Sequence, residues 1–130
     1  MEKVLKIQTK EEFGIIDITE KVEEVVFESK IKDGICLVFV KGSTASIIIN
    51  ENEYGLLQDL KKTLEKLIPK GNYNHPSNAH SHLKATFLGP SKAIPIKDGK
   101  LDLGTWLSIF VINFDIYPRE REIVIKILGK

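Results

Sequence analysis

The chain has very little cysteine and no long apolar run, and both absences narrow the class of protein. Its one cysteine, Cys36, cannot build a disulfide framework, and its apolar surroundings favour a buried, unreactive thiol over a nucleophile. No apolar segment approaches the roughly 18 residues that cross a bilayer, and residues 1–10 lack the apolar core of a signal peptide. We therefore expect a cytoplasmic protein that does not enter a membrane.

An excess of charge of either sign is also missing. The 19 lysine and arginine residues nearly balance the 18 aspartate and glutamate residues, which leaves a formal net charge of +1. Basic residues form no run and no pattern interleaved with aromatic residues. The sequence therefore predicts no binding to nucleic acid and no attraction to acidic membrane surfaces.

The length and the distribution of polar residues predict one domain over residues 1–130. A chain of 130 residues has the commonest size of a single domain and can bury a core without disulfides. Internal repeats, low-complexity segments and linkers are absent from the sequence.

Hydrophobic periodicity predicts an α+β fold with two main helices. One helix runs from Thr19 to Ser29, and a second carries Leu57, Leu60, Leu64 and Leu67 and ends before Pro69. The predicted strands are Val4–Thr9 and Phe13–Ile18 (as a pair), Gly34–Val40, Ala45–Asn50, Leu83–Leu88, Lys92–Ile96, Leu101–Leu103, Thr105–Phe114 and Glu122–Leu128. Strands and helices do not alternate, so we expect a mostly antiparallel sheet in a sandwich or barrel-like subunit.

The three histidines of the chain, His75, His80 and His82, fall within one eight-residue window of a polar, turn-rich segment. In an extended backbone His80 and His82 point the same way, and His75 could fold back to complete a face of three nitrogens. Three neutral imidazoles with a fourth position open are typical of a catalytic zinc site. Hydrogen bonding, or anion binding when protonated, is the alternative role.

Carboxylates precede the second helix and lie on it. Glu51 and Glu53 follow a strand end, where they could act as general bases, hold magnesium, or simply cap the helix; capping is the favoured interpretation. Asp59, further along the helix, is compatible with either an exposed face or a site.

Two further groups could bind an anion. The turn Gly42-Ser43-Thr44 offers backbone amides and hydroxyls, although it lacks the spacing and lysine of a P-loop, and a plain strand connection is its alternative role. Arg119 and Arg121 are the only arginines, and arginine binds phosphate in a bidentate manner. Their alternative role is in ion pairs at the surface or between subunits.

A series of short motifs follows in a characteristic order along the chain. They are Gly42–Ser46, Asn50-Glu51, Gly71–His75, Ser81-His82, Leu88–Ser91, Ile94–Ile96, Gly99, Gly104–Trp106 and Phe114-Asp115. In this order and spacing they resemble the YjbQ-like family, whose members are often labelled secondary thiamine-phosphate synthase enzymes. The resemblance extends from about Gly34 to Lys130. Gly42, where many relatives carry histidine, resembles the archaeal-type branch, in which His80 would supply the imidazole.

The resemblance implies a small α+β subunit that assembles as a homotrimer. It implies metal or anion binding at His75 and His82, and a reaction that joins a pyrimidine pyrophosphate to a thiazole phosphate with loss of pyrophosphate. It also leads us to count Gly104 and Thr105 with the phosphate-binding residues.

The resulting hypothesis is a transferase with a divalent cation, zinc or magnesium, at His75, His80 and His82. The predicted catalytic residues are His80, His82, Glu51 and Asp59, and the predicted phosphate-binding residues are Gly42, Ser43, Thr44, Gly104, Thr105 and Arg119. The rival hypothesis is a trimeric protein that binds a metal or a phosphorylated small molecule without turnover.

Overall fold

The computed structural model describes residues 1–130 and contains eight strands and three helices. The strands are β1 (Glu2–Thr9), β2 (Gly14–Asp17), β3 (Asp33–Val40), β4 (Ala45–Glu51), β5 (Ser91–Lys97), β6 (Lys100–Leu101), β7 (Leu107–Asn113) and β8 (Arg119–Gly129). The helices are α1 (Thr19–Ser29), α2 (Tyr54–Leu67) and α3 (Ala79–Leu88). No helix is long and apolar enough to cross a membrane.

The strands form two separate antiparallel sheets, which confirms the predicted α+β class. The five-stranded sheet has the order β1-β8-β3-β5-β6, and the three-stranded sheet has the order β2-β7-β4. The prediction that the first two strands pair is wrong, because β1 pairs with β8 and β2 pairs with β7. The turn between β5 and β6 is confirmed as a hairpin, with positive φ at Asp98 and Gly99.

The side chains of β7 divide the interior into two cores. Ile109 and Val111 face the five-stranded sheet, where they join the larger apolar cluster, and Phe110 and Ile112 face the opposite way. Strand residues alternate between faces, so one strand supplies both cores. The buried valines of α1 complete the larger cluster, and α2 and α3 cover the outer face of the three-stranded sheet.

The prediction of a strand over Leu83–Leu88 is wrong, because a third helix, α3, occupies residues 79–88 in addition to the two main helices. Asn78 O accepts hydrogen bonds from the amides of Ser81 and His82, and Gly89 ends the helix with a φ of +86°. The segment is short and has no clear period, so periodicity could not separate a strand from a helix. Because α3 includes His80 and His82, these two side chains do not point the same way, as an extended backbone would have placed them.

The outer face of the five-stranded sheet is not covered by any helix. Its central strand β3 carries three large apolar side chains on this face: Ile35 (55% exposed), Leu37 (38%) and Phe39 (36%). Val4 on β1 and Leu128 on β8 extend the apolar surface across the sheet. Apolar patches of this kind usually mark an interaction surface.

Cys36 lies on the opposite, buried face of β3 and is fully inaccessible. Burial raises the pKa of its thiol to about 11. Because the thiolate is the reactive form, we expect no alkylation of the native protein by iodoacetamide at pH 8, and rapid alkylation once urea unfolds the chain. Mass spectrometry would measure both, and native alkylation as fast as that of the unfolded chain would contradict the burial.

Candidate functional site

The turn between β3 and β4 presents three consecutive backbone amides with no partner in the chain. The amides of Gly42, Ser43 and Thr44 donate no hydrogen bond. Gly42 has a φ of +107°, and a Cβ there would lie 2.9 Å from Nη1 of Arg121. Both the backbone conformation and the close approach therefore require glycine.

Arg121 fills the space beneath this turn and is only 5% exposed. Its Nη2 donates to the carbonyl oxygen of Thr44 at 3.1 Å, to Oγ1 of Thr44 at 2.8 Å, and to Oδ1 of Asn113. Its Nε is buried and has no hydrogen-bond partner. A buried, unpaired donor is costly, and the contacts within the chain leave this one unsatisfied.

Asp115 is the counter-ion of the two arginines and is 3% exposed. Burial by itself raises its pKa, but the hydrogen bonds from the Tyr117 amide (3.0 Å) and Arg119 Nε (2.8 Å) outweigh burial and hold the pKa below 3.8. Its Oδ2 also accepts from Oγ1 of Thr44 at 3.4 Å. We call Gly42, Ser43, Thr44, Asn113, Asp115, Arg119 and Arg121 the arginine cluster.

The histidines do not form the predicted face of three nitrogens. His80 and His82 are two positions apart on α3, so their side chains differ by about 200° in direction instead of pointing the same way. His75 does fold back, and its ring packs edge to face on that of His82 with centroids 4.7 Å apart. No group of three or more His, Cys, Asp or Glu side chains in the chain is placed to hold a metal ion.

His80 lies on the buried side of α3 and is 5% exposed. Its Nδ1 is 3.1 Å from Oγ of Ser81. Burial lowers the pKa of His80 below 6.5, and the positive charge of Lys84, one helical turn later, lowers it further. The imidazole is therefore neutral at neutral pH and is available as a proton acceptor.

The remaining predicted residues lie away from the arginine cluster. Glu51 pairs with Leu107 at one end of β4, whereas Ala45 pairs with Asn113 at the other end. Six residue steps separate these ends by roughly 20 Å. Glu51, and Gly104 and Thr105 in the loop before β7, therefore cannot contact the arginine cluster of the same chain.

Neither carboxylate predicted to be catalytic has a partner in the structure. Asp59 is exposed on α2 and makes no hydrogen bond or ion pair through its side chain. Glu53, not Glu51, caps α2: its carboxylate accepts hydrogen bonds from the amides of Gly55 (2.6 Å) and Leu56 (3.0 Å). The capping interpretation is thus confirmed for Glu53.

Among the predicted phosphate-binding residues, the structure brings together Gly42, Ser43, Thr44 and Arg119. Sequence reasoning missed Asn113 and Asp115, which stand at the end of β7 and just after it. An asparagine and an aspartate that close an apolar strand were a usable signal, because polar residues at such positions are buried only when hydrogen bonded.

The fold and this cluster define a class of small α+β proteins with two antiparallel sheets and a polar turn over a buried arginine. The sequence profile described as "UPF0047 protein YjbQ-like" matches residues 3–130. The chain therefore belongs to the YjbQ-like UPF0047 family, as its motifs predicted.

Individual relatives agree over nearly the full length of the chain. A UPF0047 protein of Archaeoglobus fulgidus is 46% identical over 128 residues, which cover 95% of this chain and 98% of the relative. A YbjQ-like protein of unknown function from Sulfolobus solfataricus has a TM-score of 0.90 and 41% identity over the whole of both chains. A hypothetical protein of Aeropyrum pernix has a TM-score of 0.94 and 34% identity over 100% of this chain and 99% of that one.

Proposed function

We propose that the arginine cluster binds a phosphate or pyrophosphate group of a small molecule. The observation that carries this proposal is the row of three free amides over the buried guanidinium of Arg121, whose Nε has no partner. Successive backbone amides form a concave site for anions, and a guanidinium edge matches phosphate oxygens in a bidentate manner. Asp115 neutralises one charge of the arginine pair, which leaves one positive charge for the ligand.

We propose further that the reaction is of the thiamine-phosphate synthase type, in which a pyrimidine pyrophosphate and a thiazole phosphate are joined and pyrophosphate is lost. The arginine cluster would stabilise the negative charge of the departing pyrophosphate. The candidate proton-transfer groups are the neutral His80 on α3 and the pair His75 and His82, whose rings are in contact. The family resemblance supports this assignment.

The proposal does not include the divalent cation that the sequence predicted. His75 and His82 together supply two imidazoles, and His80 lies on another side of the helix, so the residues of one chain do not fit a three-ligand zinc site. The anion site supplies positive charge through the amides and the guanidinium.

A second candidate function is a phosphate-binding protein without turnover. It is favoured by the isolation of Glu51 and Asp59, which leaves the arginine cluster without a carboxylate base beyond Asp115. Asp115 itself is occupied by the Tyr117 amide and Arg119. For either function we propose assembly as a homotrimer, which the uncovered outer face of the five-stranded sheet supports.

Substitution of Gly42 tests the anion site without changing any charge. We expect Gly42→Ala to weaken pyrophosphate binding, measured by isothermal titration calorimetry, by about ten-fold or more, because the methyl group displaces Arg121 and the turn loses its backbone conformation. Gly71→Ala is the matched control, since a Cβ there meets nothing within 4 Å. Equal affinity of both variants and the wild type would contradict the site.

Turnover separates the two candidate functions. The purified protein is mixed with the pyrimidine pyrophosphate and the thiazole phosphate, with and without magnesium, and pyrophosphate release is followed by a coupled assay. Release that Gly42→Ala reduces and Gly71→Ala leaves unchanged supports the transferase. Pyrophosphate binding without release in either condition assigns the chain to the binding proteins.

A further inference from the structure

Lys84 on α3 is a buried lysine without a hydrogen-bond or ion-pair partner. It is 3% exposed, its Nζ makes no hydrogen bond, and no carboxylate oxygen lies within 4.0 Å of it. The ammonium group lies over the ring of Phe13, whose centroid is 5.7 Å away. Lysine is rarely buried in this way, and burial without a partner is typical of lysines that act as nucleophiles.

Lys92 is a partly buried lysine whose ammonium group has hydrogen-bond partners, and it serves as a comparison for Lys84. Its Nζ donates to three carbonyl oxygens, those of Ile47 (2.9 Å), Leu88 (3.2 Å) and Ser91 (3.3 Å). Burial lowers the pKa of both lysines. Only Lys92 has its ammonium group satisfied by the chain, so the two residues differ in partners and not in burial alone.

Lys84 opens into a cavity of about 370 Å³ between α2, α3 and the loop before β2. The cavity is lined by Glu12, Glu65, Pro69, Lys70 and Lys84. The Nζ of Lys84 has no partner and is not fully enclosed, so it reaches this cavity. The volume suits a molecule of a few carbon atoms.

The charges around Lys84 nearly cancel. The groups that act on it from the neighbouring elements are Glu12, Glu65, Lys61, Lys70 and, one helical turn before it, His80. Glu12 is paired with Lys70 at 3.2 Å. Balanced charges give a free anion no net attraction to this cavity, and an uncharged carbonyl compound needs none to approach the amine.

We propose that Lys84 is a nucleophilic amine that forms an imine with a small aldehyde or ketone in this cavity. The uncharged amine nitrogen attacks the carbonyl carbon and gives a carbinolamine. His80, which follows the same face of α3 at the i, i+4 spacing, accepts the proton from nitrogen and returns it to the hydroxyl group. That group leaves as water, so one amine and one carbonyl yield one imine and one water molecule. The proposal is independent of the anion site.

Reductive trapping tests the imine directly. The native protein is incubated at neutral pH with glycolaldehyde and sodium cyanoborohydride, and the modified lysines are quantified by peptide mass spectrometry. We expect Lys84 to be labelled at least about ten times faster than Lys92 and the exposed Lys62, and we expect this preference to vanish in urea. Labelling of Lys84 at or below the rate of Lys62 in the native protein would overturn the proposal.

A variant of His80 separates nucleophilic chemistry from simple access. His80→Gln keeps a polar side chain of similar size but cannot take up a proton at neutral pH. We expect it to slow the labelling of Lys84 by several-fold and to leave the labelling of Lys62 unchanged, with circular dichroism reporting on the fold. Fast labelling of Lys84 that is insensitive to His80→Gln and persists in urea would assign the reactivity to the local sequence and contradict the site.

Discussion

The Asp115→Ala variant is expected to lower the free energy of unfolding by about 3 kcal/mol, because it leaves a buried arginine without its counter-ion. Arg121 is 5% exposed and Asp115 is 3% exposed, so water cannot replace the lost carboxylate well. The substitution also removes the acceptors of the Tyr117 amide and of Arg119 Nε. Loss of one partner of a buried charged pair costs more than the pair itself contributes.

Urea unfolding at neutral pH would measure this loss. Asp59→Ala is the matched control, because Asp59 is exposed and unpaired, and we expect its effect to stay within about 0.5 kcal/mol. The double variant Asp115→Ala with Arg121→Met removes both charges and is expected to recover part of the stability. A loss below about 1 kcal/mol for Asp115→Ala would show that Arg121 does not depend on this carboxylate.

The effect also has a defined pH dependence. The pKa of Asp115 is held below 3.8 in the folded chain, so the folded state binds fewer protons than the unfolded state near that pH. The stabilisation is therefore complete above about pH 5 and is lost as the pH falls through the lowered pKa. The difference in the free energy of unfolding between the wild type and Asp115→Ala should shrink as the pH falls through this acidic range and remain constant from pH 6 to 8.

The elements that the sequence predicted are those with an unambiguous period. The leucines of α2 recur at helical spacing, and Gly34–Val40 has the length and composition of a strand, so both were predicted within a few residues. The segment Leu83–Leu88 has neither advantage, because its six residues have no clear period and suit either structure. The helix that forms there begins at Ala79, so it also sets the directions of the His80 and His82 side chains.

The arginine cluster could be predicted only in part, because two segments far apart in the chain contribute to it. The glycine and hydroxyl residues of Gly42–Thr44 indicated an anion site on their own. Their neighbours arrive through the register of the sheet, which pairs Ala45 with Asn113 and places Arg121 beneath Thr44. No local pattern specifies that register, since the partners are more than 60 residues apart in the chain.

The outer face of the five-stranded sheet carries the largest expected effect on assembly. In three adjacent rows of the sheet, Phe39 pairs with Val124, Leu37 with Lys126 and Ile35 with Leu128. Val4 pairs with Val124 on the other side. The apolar side chains form a continuous band along β3, whereas on β8 Lys126, ion-paired with Glu2, interrupts the middle row. One chain leaves this band in contact with water. Burial of this band between copies of the chain would remove the apolar side chains from water, which is favourable.

We therefore expect the wild-type protein to sediment with three times the chain mass of 14.7 kDa, and Leu37→Lys to sediment as a monomer. Leu37 is at the centre of the band, so a lysine there places an unpaired charge in the interface, while the 38% exposed position tolerates it in the single chain. Phe27→Lys, on the exposed side of α1, is the control for an added charge elsewhere. A monomeric wild type would contradict the trimer, and dissociation by Phe27→Lys alone would place the interface on α1 instead of the sheet.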